Sequence, residues 1–103
     1  MDIKELTKKA KEIKKSYSKL NKKEGRKEWG KSEYLQGFIG DVGDLSKLIL
    51  AKENFRKIEN TDKKIAHELS DCLWSILIIA DELDIDLEAE FLNSMNELKS
   101  KIK

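Results

Sequence analysis

Apolar residues recur at alternating intervals of three and four along most of the chain, which is the spacing of one face of an α-helix. The first such segment runs from about Ile3 to Leu20, and a polar connector from Asn21 to Gly30 follows it. The second helix is predicted to start near Ser32, a good N-cap, and to continue to about Lys52. No segment shows the period-two alternation of a strand, so the pattern predicts an all-α fold.

The second half of the chain predicts two more helices. A charged connector from Glu53 to Asn60 precedes the third helix, which either Asn60 or Thr61 can cap. Between Leu69 and Ala80 this helix is apolar almost all round, so we expect it to be the central and most buried element. Asp86 closes a short turn and can cap the last helix, whose apolar stripe consists of Leu87, Phe91, Met95, Leu98 and Ile102.

Length and composition agree with one helical domain. The 103 residues contain no proline, five glycines and 40% charged residues, dominated by Lys and Glu. The longest apolar stretch, from Cys72 to Ala80, is far shorter than the roughly 20 residues that cross a bilayer. Cys72 is the single cysteine and lies in that stretch, so we expect a buried thiol and a cytoplasmic protein without a signal peptide.

Charge is unevenly distributed along the chain. Residues 1–31 hold twelve Lys or Arg against five acids, a net charge of +7, and residues 32–103 carry −6. A basic amphipathic arm of this kind can bind nucleic acid or an acidic membrane surface. Nearly all of its cations are lysines, with little aromatic interleaving, so we expect a solvated helix face and neither of these partners.

Two short acidic motifs stand inside apolar stretches. Asp41 and Asp44 lie three residues apart in the second helix, and Glu68 and Asp71 have the same spacing in the third. This spacing places each pair on one helix face, about one turn apart. Carboxylates among core residues are costly to desolvate unless a cation accompanies them. Two facing pairs predict a site of four oxygen ligands for Mg²⁺, or Mn²⁺.

Ordinary salt bridges are the alternative explanation for these acids. Asp44 can pair with Lys47, and Glu68 with Lys64, at helical spacing. Asp41 and Asp71 have only the weakly basic His67 at such a distance, which favours the metal-site interpretation.

Three glycines, Gly37, Gly40 and Gly43, recur every third residue in the second helix. Each costs about 1 kcal/mol relative to alanine inside a helix. We expect them to form a smooth ridge that either lets another helix pack closely or leaves room for a ligand beside the acids.

These motifs together resemble the MazG-type nucleotide pyrophosphohydrolases, of the all-α nucleoside triphosphate pyrophosphatase superfamily. The resemblance rests on Leu35–Leu45, on Glu68–Trp74 and on Asp84–Leu87, and it covers about residues 29–98. It implies a four-helix MazG-like domain over residues 1–103, with a basic N-terminal helix and connector at 1–28 and a catalytic core at 29–103. Four short helices cannot readily cover the apolar surface of an apolar central helix, so we also expect assembly as a homodimer or dimer of dimers.

The function that the resemblance implies is Mg²⁺-dependent cleavage of a nucleoside triphosphate into a monophosphate and pyrophosphate. The catalytic and metal-ligand roles fall to Asp41, Asp44, Glu68 and Asp71, and the acid that stays off the metal is expected to be the general base. Residues assigned to the substrate are Trp29, Trp74, Lys47, Asn93, Asn96 and Lys99. Phosphate contacts from Lys52, Arg56, Lys63 and Lys64 are a weaker expectation.

Two departures from the family pattern keep an alternative open. The first motif has two aspartates where the family usually has glutamates, and each reaches about 1.5 Å less toward a shared metal. The last helix has no clean match to the family's phosphate-contacting Lys or Asn. The alternative is therefore a degenerate, non-catalytic helical module that binds nucleotide, metal or a protein partner.

Overall fold

The computed structural model describes residues 1–53 and 58–102. It contains four α-helices, which are α1 (Ile3–Lys23), α2 (Lys31–Lys52), α3 (Thr61–Glu82) and α4 (Leu87–Ile102). No strand occurs among the described residues, so the predicted all-α, four-helix fold class is confirmed. Residues 54–57 of the predicted connector, and with them Arg56, lie outside the described part of the chain.

Local capping chemistry sets where the first two helices begin. The Asp2 carboxylate accepts a hydrogen bond from the backbone N–H of Glu5 at 2.9 Å and caps α1. Helix α2 is capped by Gly30, not by Ser32 as predicted. The Glu33 side chain accepts a hydrogen bond from the Gly30 N–H at 2.8 Å, and the helix begins at Lys31, so Ser32 already lies inside its first turn.

The other two helices begin differently from each other. Asn60 precedes α3 in the left-handed conformation, at φ 56°, and its side chain makes no capping bond. The Thr61 hydroxyl instead donates to the carbonyl of Ile58 at 2.6 Å. Asp86 accepts a hydrogen bond from the Ala89 N–H at 3.1 Å, as predicted for the cap of α4.

Helix α3 is the centre of the fold, as its sequence predicts. It packs along α2 and, less extensively, against α1. Its residues Leu77 and Ile78 form the main core cluster with Ala10 of α1 and Tyr34 of α2. The opposite side of α3 is not covered, because Leu69 and its neighbours Leu73 and Ile76 remain exposed.

Polar contacts hold α1 on α3. The Trp74 indole Nε1–H donates to the carbonyl of Ala10 at 3.1 Å, and Lys14 forms an ion pair with Glu82. The Glu82 carboxylate raises the pKa of the Lys14 ammonium, which outweighs the opposing effect of burial. The basic helix is therefore part of the domain and not a free arm.

The glycines of α2 do not form a contact ridge within the chain. A Cβ at Gly37 would lie 3.5 Å from the Trp29 ring, whereas at Gly40 and Gly43 it would meet no atom of the described residues within 4 Å. The expectation that all three admit a closely packed helix is therefore wrong for a single chain. Only Gly37 provides a close approach, and its partner is an indole ring.

Helix α4 extends away from the other three. Leu87 at its start packs against the core cluster, but none of its residues is buried. The radius of gyration is 16.6 Å, against about 13 Å for a compact domain of this length. The described chain is thus an open arrangement of helices with much apolar surface uncovered.

Candidate metal centre

Three carboxylates from two helices converge where α2 and α3 pack together. One oxygen each from Asp41, Asp44 and Glu68 lies within 4.8 Å of the others. The three-residue spacing turns both aspartates of α2 toward Glu68 on α3. Asp41 and Glu68 are half-buried, and Asp44 is exposed.

Asp71 stands apart from this group. Its carboxylate lies 3.2 Å from His67 Nε2, one turn earlier on the same helix. It lines a cavity together with Asp41 instead of joining the three converging oxygens. The structure therefore brings together three of the four predicted ligands and places the fourth at the edge of the cluster. His67 itself is exposed, as predicted.

The cluster carries an electrostatic cost in the absence of a cation. Burial raises the pKa of the Asp41 carboxyl, and the charges of Asp71 and Asp44 raise it further. Burial likewise raises the pKa of Glu68, and Asp41 contributes the next largest increase. The same surroundings raise the pKa of the Cys72 thiol, chiefly through burial, so this buried cysteine stays protonated.

One oxygen of the cluster is buried without a partner. Glu68 Oε2 has no hydrogen bond to any described residue. Neither Asp44–Lys47 nor Glu68–Lys64 forms an ion pair within the described ranges, 1–53 and 58–102. Lysine salt bridges therefore do not account for Asp44 and Glu68, whereas Asp71 is paired with His67.

The donor set fits a hard divalent cation. Three carboxylates offer only oxygen, which Mg²⁺ and Mn²⁺ prefer, and a cation would satisfy the orphaned Glu68 oxygen. Ligands from three side chains leave coordination positions for water or for phosphate oxygens. We therefore treat Asp41, Asp44 and Glu68 as the candidate metal ligands.

A cavity of about 730 Å³ opens on one side of the acids. Asp41 and Asp71 form part of its wall, and Arg26 and Lys27 of the connector between α1 and α2 also line it. Four aromatic rings, from all three packed helices and the connector, also line it: Tyr17, Trp29, Tyr34 and Trp74. We name this space the aromatic cavity.

The aromatic rings of this cavity support one another edge to face. Trp74 lies between Tyr17 and Tyr34, with ring centroids 6.2 Å and 5.6 Å away. Trp29 packs on Tyr34 at 5.5 Å, and the bare backbone of Gly37 leaves room for its ring. Such pairs favour defined ring orientations along this wall.

A second cavity, of about 570 Å³, opens on the other side of the acids. Asp44 and Glu68 line it, together with the cationic or titratable side chains of Lys47, Lys63, Lys64 and His67. We name it the cationic cavity. The carboxylate cluster thus lies beside two cavities, of which one is lined by aromatic rings and the other by three lysines.

The predicted substrate-binding residues divide into two groups. Trp29 and Trp74 line the aromatic cavity, and Lys47 lines the cationic cavity. Residues Asn93, Asn96 and Lys99 are exposed on α4 and line neither cavity. Lys52 forms an ion pair with Asp62 and also lines neither.

Sequence reasoning missed Tyr17 and Tyr34 as cavity residues. Both occupy apolar helical positions, where an aromatic side chain looks the same whether it fills the core or lines a ligand site. Tyr34 does both, because it is buried in the core cluster and also lines the aromatic cavity. Their role depends on how α1, which carries Tyr17, and α2, which carries Tyr34, pack against α3, and periodicity does not encode this packing.

Comparisons with known proteins give no family assignment. No protein-family model matches the chain, and no curated protein or solved structure is significantly similar to it. Among the described residues, no helix combines the length and the apolar character needed to cross a membrane.

Proposed function

We propose that this protein is a Mg²⁺-dependent nucleoside triphosphate pyrophosphohydrolase of the MazG type. The observation that carries the proposal is the buried, unpartnered Glu68 Oε2 within a three-carboxylate cluster. An aromatic cavity beside that cluster offers a surface on which a nucleobase can stack. The motifs at Asp41–Asp44 and Glu68–Asp71 resemble the metal-site motifs of that superfamily, with aspartates in place of the glutamates of the first motif.

The bound metal would neutralise the triphosphate and polarise the α-phosphorus. Asp41, Asp44 and Glu68 would hold it. Asp71 lies off the cluster and lines the cavity beside Asp41, and it would accept a proton from the attacking water. His67, at 3.2 Å, holds the Asp71 carboxylate in position. Cleavage between the α- and β-phosphates then yields a nucleoside monophosphate and pyrophosphate.

The proposal extends to assembly and location. Among the described residues twenty large apolar side chains are exposed and eight apolar residues are buried. A homodimer or dimer of dimers would cover that surface. The lone buried Cys72 fits a reducing cytoplasm.

Pyrophosphate release from a panel of ribo- and deoxynucleoside triphosphates, with and without Mg²⁺ or Mn²⁺, tests the activity. Glu68→Gln and Asp71→Asn should lose activity and stay helical, because each keeps its shape but loses a charge. Glu12→Gln on the exposed surface of α1 is the matched control. Metal-independent turnover, or full activity of the Glu68 variant, would contradict the assignment.

A non-catalytic interaction module is the second candidate. The observation in its favour is that the stripe of α4 remains exposed, with Phe91 at 59% and Leu98 at 49%. A protein that takes up Mg²⁺ and a nucleotide but releases no pyrophosphate from any substrate would support this alternative.

A further inference from the structure

The two cavities beside the carboxylate cluster have different chemistry, and this difference orients a ligand that spans them. Four aromatic rings line the aromatic cavity, together with Asp41 and the cations Arg26 and Lys27. The cationic cavity is lined by three lysines, together with Asp44 and Glu68, and no Phe, Tyr or Trp is among its described lining residues. A nucleoside triphosphate has the same asymmetry, since a flat base lies at one end and a chain of charged phosphates at the other.

Three lysines give the cationic cavity its character. Lys47 comes from α2, and Lys63 and Lys64 come from the first turn of α3. None of the three forms an ion pair with any residue in the described part of the chain. Their charges are therefore available to an anion in the cavity.

The backbone at the start of α3 reinforces this charge. Asn60 lines the cavity and makes no side-chain capping bond to the first turn of the helix. The backbone N–H groups there lack helical acceptors, and the helix dipole adds partial positive charge. Lysines, N–H groups and the neighbouring metal ligands together form a site for a metal-bound polyphosphate.

We infer that the cationic cavity binds the β- and γ-phosphates and then the departing pyrophosphate, while the nucleoside occupies the aromatic cavity. This inference rests on the proposed function. It assigns the phosphate contacts to Lys47, Lys63 and Lys64 instead of the last helix, whose Asn93, Asn96 and Lys99 lie elsewhere.

In this orientation the α-phosphate lies at the carboxylate cluster. A water oxygen forms a bond to the α-phosphorus, and its proton passes to Asp71. The bond from the α-phosphorus to the bridging oxygen breaks, and its electron pair leaves with the pyrophosphate. The lysines stabilise the charge that develops on this leaving group.

Titration calorimetry with inorganic pyrophosphate at fixed free Mg²⁺ tests the site directly, without turnover. Lys63→Gln combined with Lys64→Gln should weaken pyrophosphate binding by at least about tenfold. Lys47→Gln should weaken it in the same direction. Lys8→Gln with Lys9→Gln, on the exposed surface of α1, removes equal charge and should leave the affinity unchanged.

The second arm uses AMP, GMP, CMP and UMP, with binding followed by calorimetry and by fluorescence of Trp29 and Trp74. A monophosphate should bind together with pyrophosphate and keep its affinity in the Lys63/Lys64 variant. If the monophosphate and pyrophosphate compete for binding, or if the Lys63/Lys64 variant loses affinity for both equally, the inferred orientation of the nucleotide is wrong.

The outcomes separate this inference from the proposed function. If the Lys63/Lys64 variant cleaves nucleotides and binds pyrophosphate as tightly as the parent, the phosphate subsite is wrong and the proposed function still holds. Lysine-dependent pyrophosphate binding in a protein that cleaves no nucleotide would support the site and remove the catalytic proposal. Absence of pyrophosphate binding to the parent would overturn the inference.

Discussion

At the scale of single residues, the chemistry concentrates in the acids between α2 and α3. Glu68 is the member whose environment is least compatible with an unneutralised charge, because one of its oxygens is buried and unpartnered. Asp41 shares that environment and stands close enough to repel it. Two predictions follow from this arrangement.

Metal should change the sign of the Glu68 contribution to stability. Without metal, Glu68→Gln should raise the melting temperature, since it removes a repelled and desolvated charge. With Mg²⁺ or Mn²⁺ the parent should gain stability by binding the ion, and the variant should gain little. Melting curves of chelator-treated protein, with and without each ion, measure both effects. An equal metal-dependent rise in parent and variant would exclude Glu68 as a ligand.

Acidification should remove the destabilisation that the ionised Asp41 and Glu68 carboxylates cause in the metal-free protein. The folded-state pKa values of Asp41 and Glu68 lie above their ordinary values, so these groups destabilise the metal-free fold when both states are ionised. The penalty shrinks as pH falls through the raised pKa values and vanishes below the ordinary ones. The stability gap between Glu68→Gln and the parent should therefore close between neutral pH and about pH 4. The stability difference between Glu12→Gln and the parent should not change with pH in this way. A stability difference for Glu68→Gln that stays constant with pH would contradict the raised pKa of Glu68.

At the scale of elements, α3 contributes residues to the carboxylate cluster and to both cavities. One of its faces forms the core, another contributes Glu68 and Asp71, and its first turn contributes Lys63 and Lys64. Trp74 fixes α1 across this helix by a hydrogen bond to Ala10 and by its ring contacts. The aromatic cavity exists because α1 is held at that position.

Trp74→Phe should loosen α1 from α3. It keeps a ring between Tyr17 and Tyr34 but removes the indole donor to the Ala10 carbonyl. We expect a loss of about 1 kcal/mol in the free energy of unfolding. Denaturant titration measures the loss, and hydrogen exchange should show faster opening of α1 than of α2. Unchanged exchange in α1 would mean that the bond does not hold the helix.

Gly43→Ala tests whether another helix packs closely against α2 at this glycine. Since a Cβ at Gly43 meets no atom of the described residues within 4 Å, alanine should stabilise α2 by about 1 kcal/mol in metal-free protein. The free energy of unfolding from denaturant titration measures the change. A decrease in stability would mean that another chain packs closely on this face.

At the scale of the whole molecule, the fold leaves twenty large apolar side chains exposed among the described residues. Its extents of 51 × 39 × 25 Å reflect a helix α4 that packs only through its start. The exposed faces of α3 and α4 are the surfaces on which the proposed assembly depends.

Leu98→Glu should reduce the size of the assembly in solution. It places a charge on the exposed stripe of α4, which costs nothing in a free chain but is unfavourable in an apolar interface. Ser100→Glu, on the other side of α4, adds the same charge and should have no effect. Light scattering coupled to size exclusion gives both masses. A parent that is already monomeric would contradict the assembly proposal.

The sequence by itself determined the helices, their order, the cap at Asp86, the central position of α3 and the pairing of acids on two faces. These properties follow from periodicity and capping, which are local and act within a few residues. Tertiary structure decided which acids converge, because Asp71 turns toward His67 and leaves three oxygens together. It also decided that Tyr17 and Tyr34 line a cavity, that Gly40 faces open space and that Asn93 lies away from the site. Each of these depends on how helices cross, and a crossing is set by packing between residues far apart in the chain, which a one-dimensional pattern does not contain.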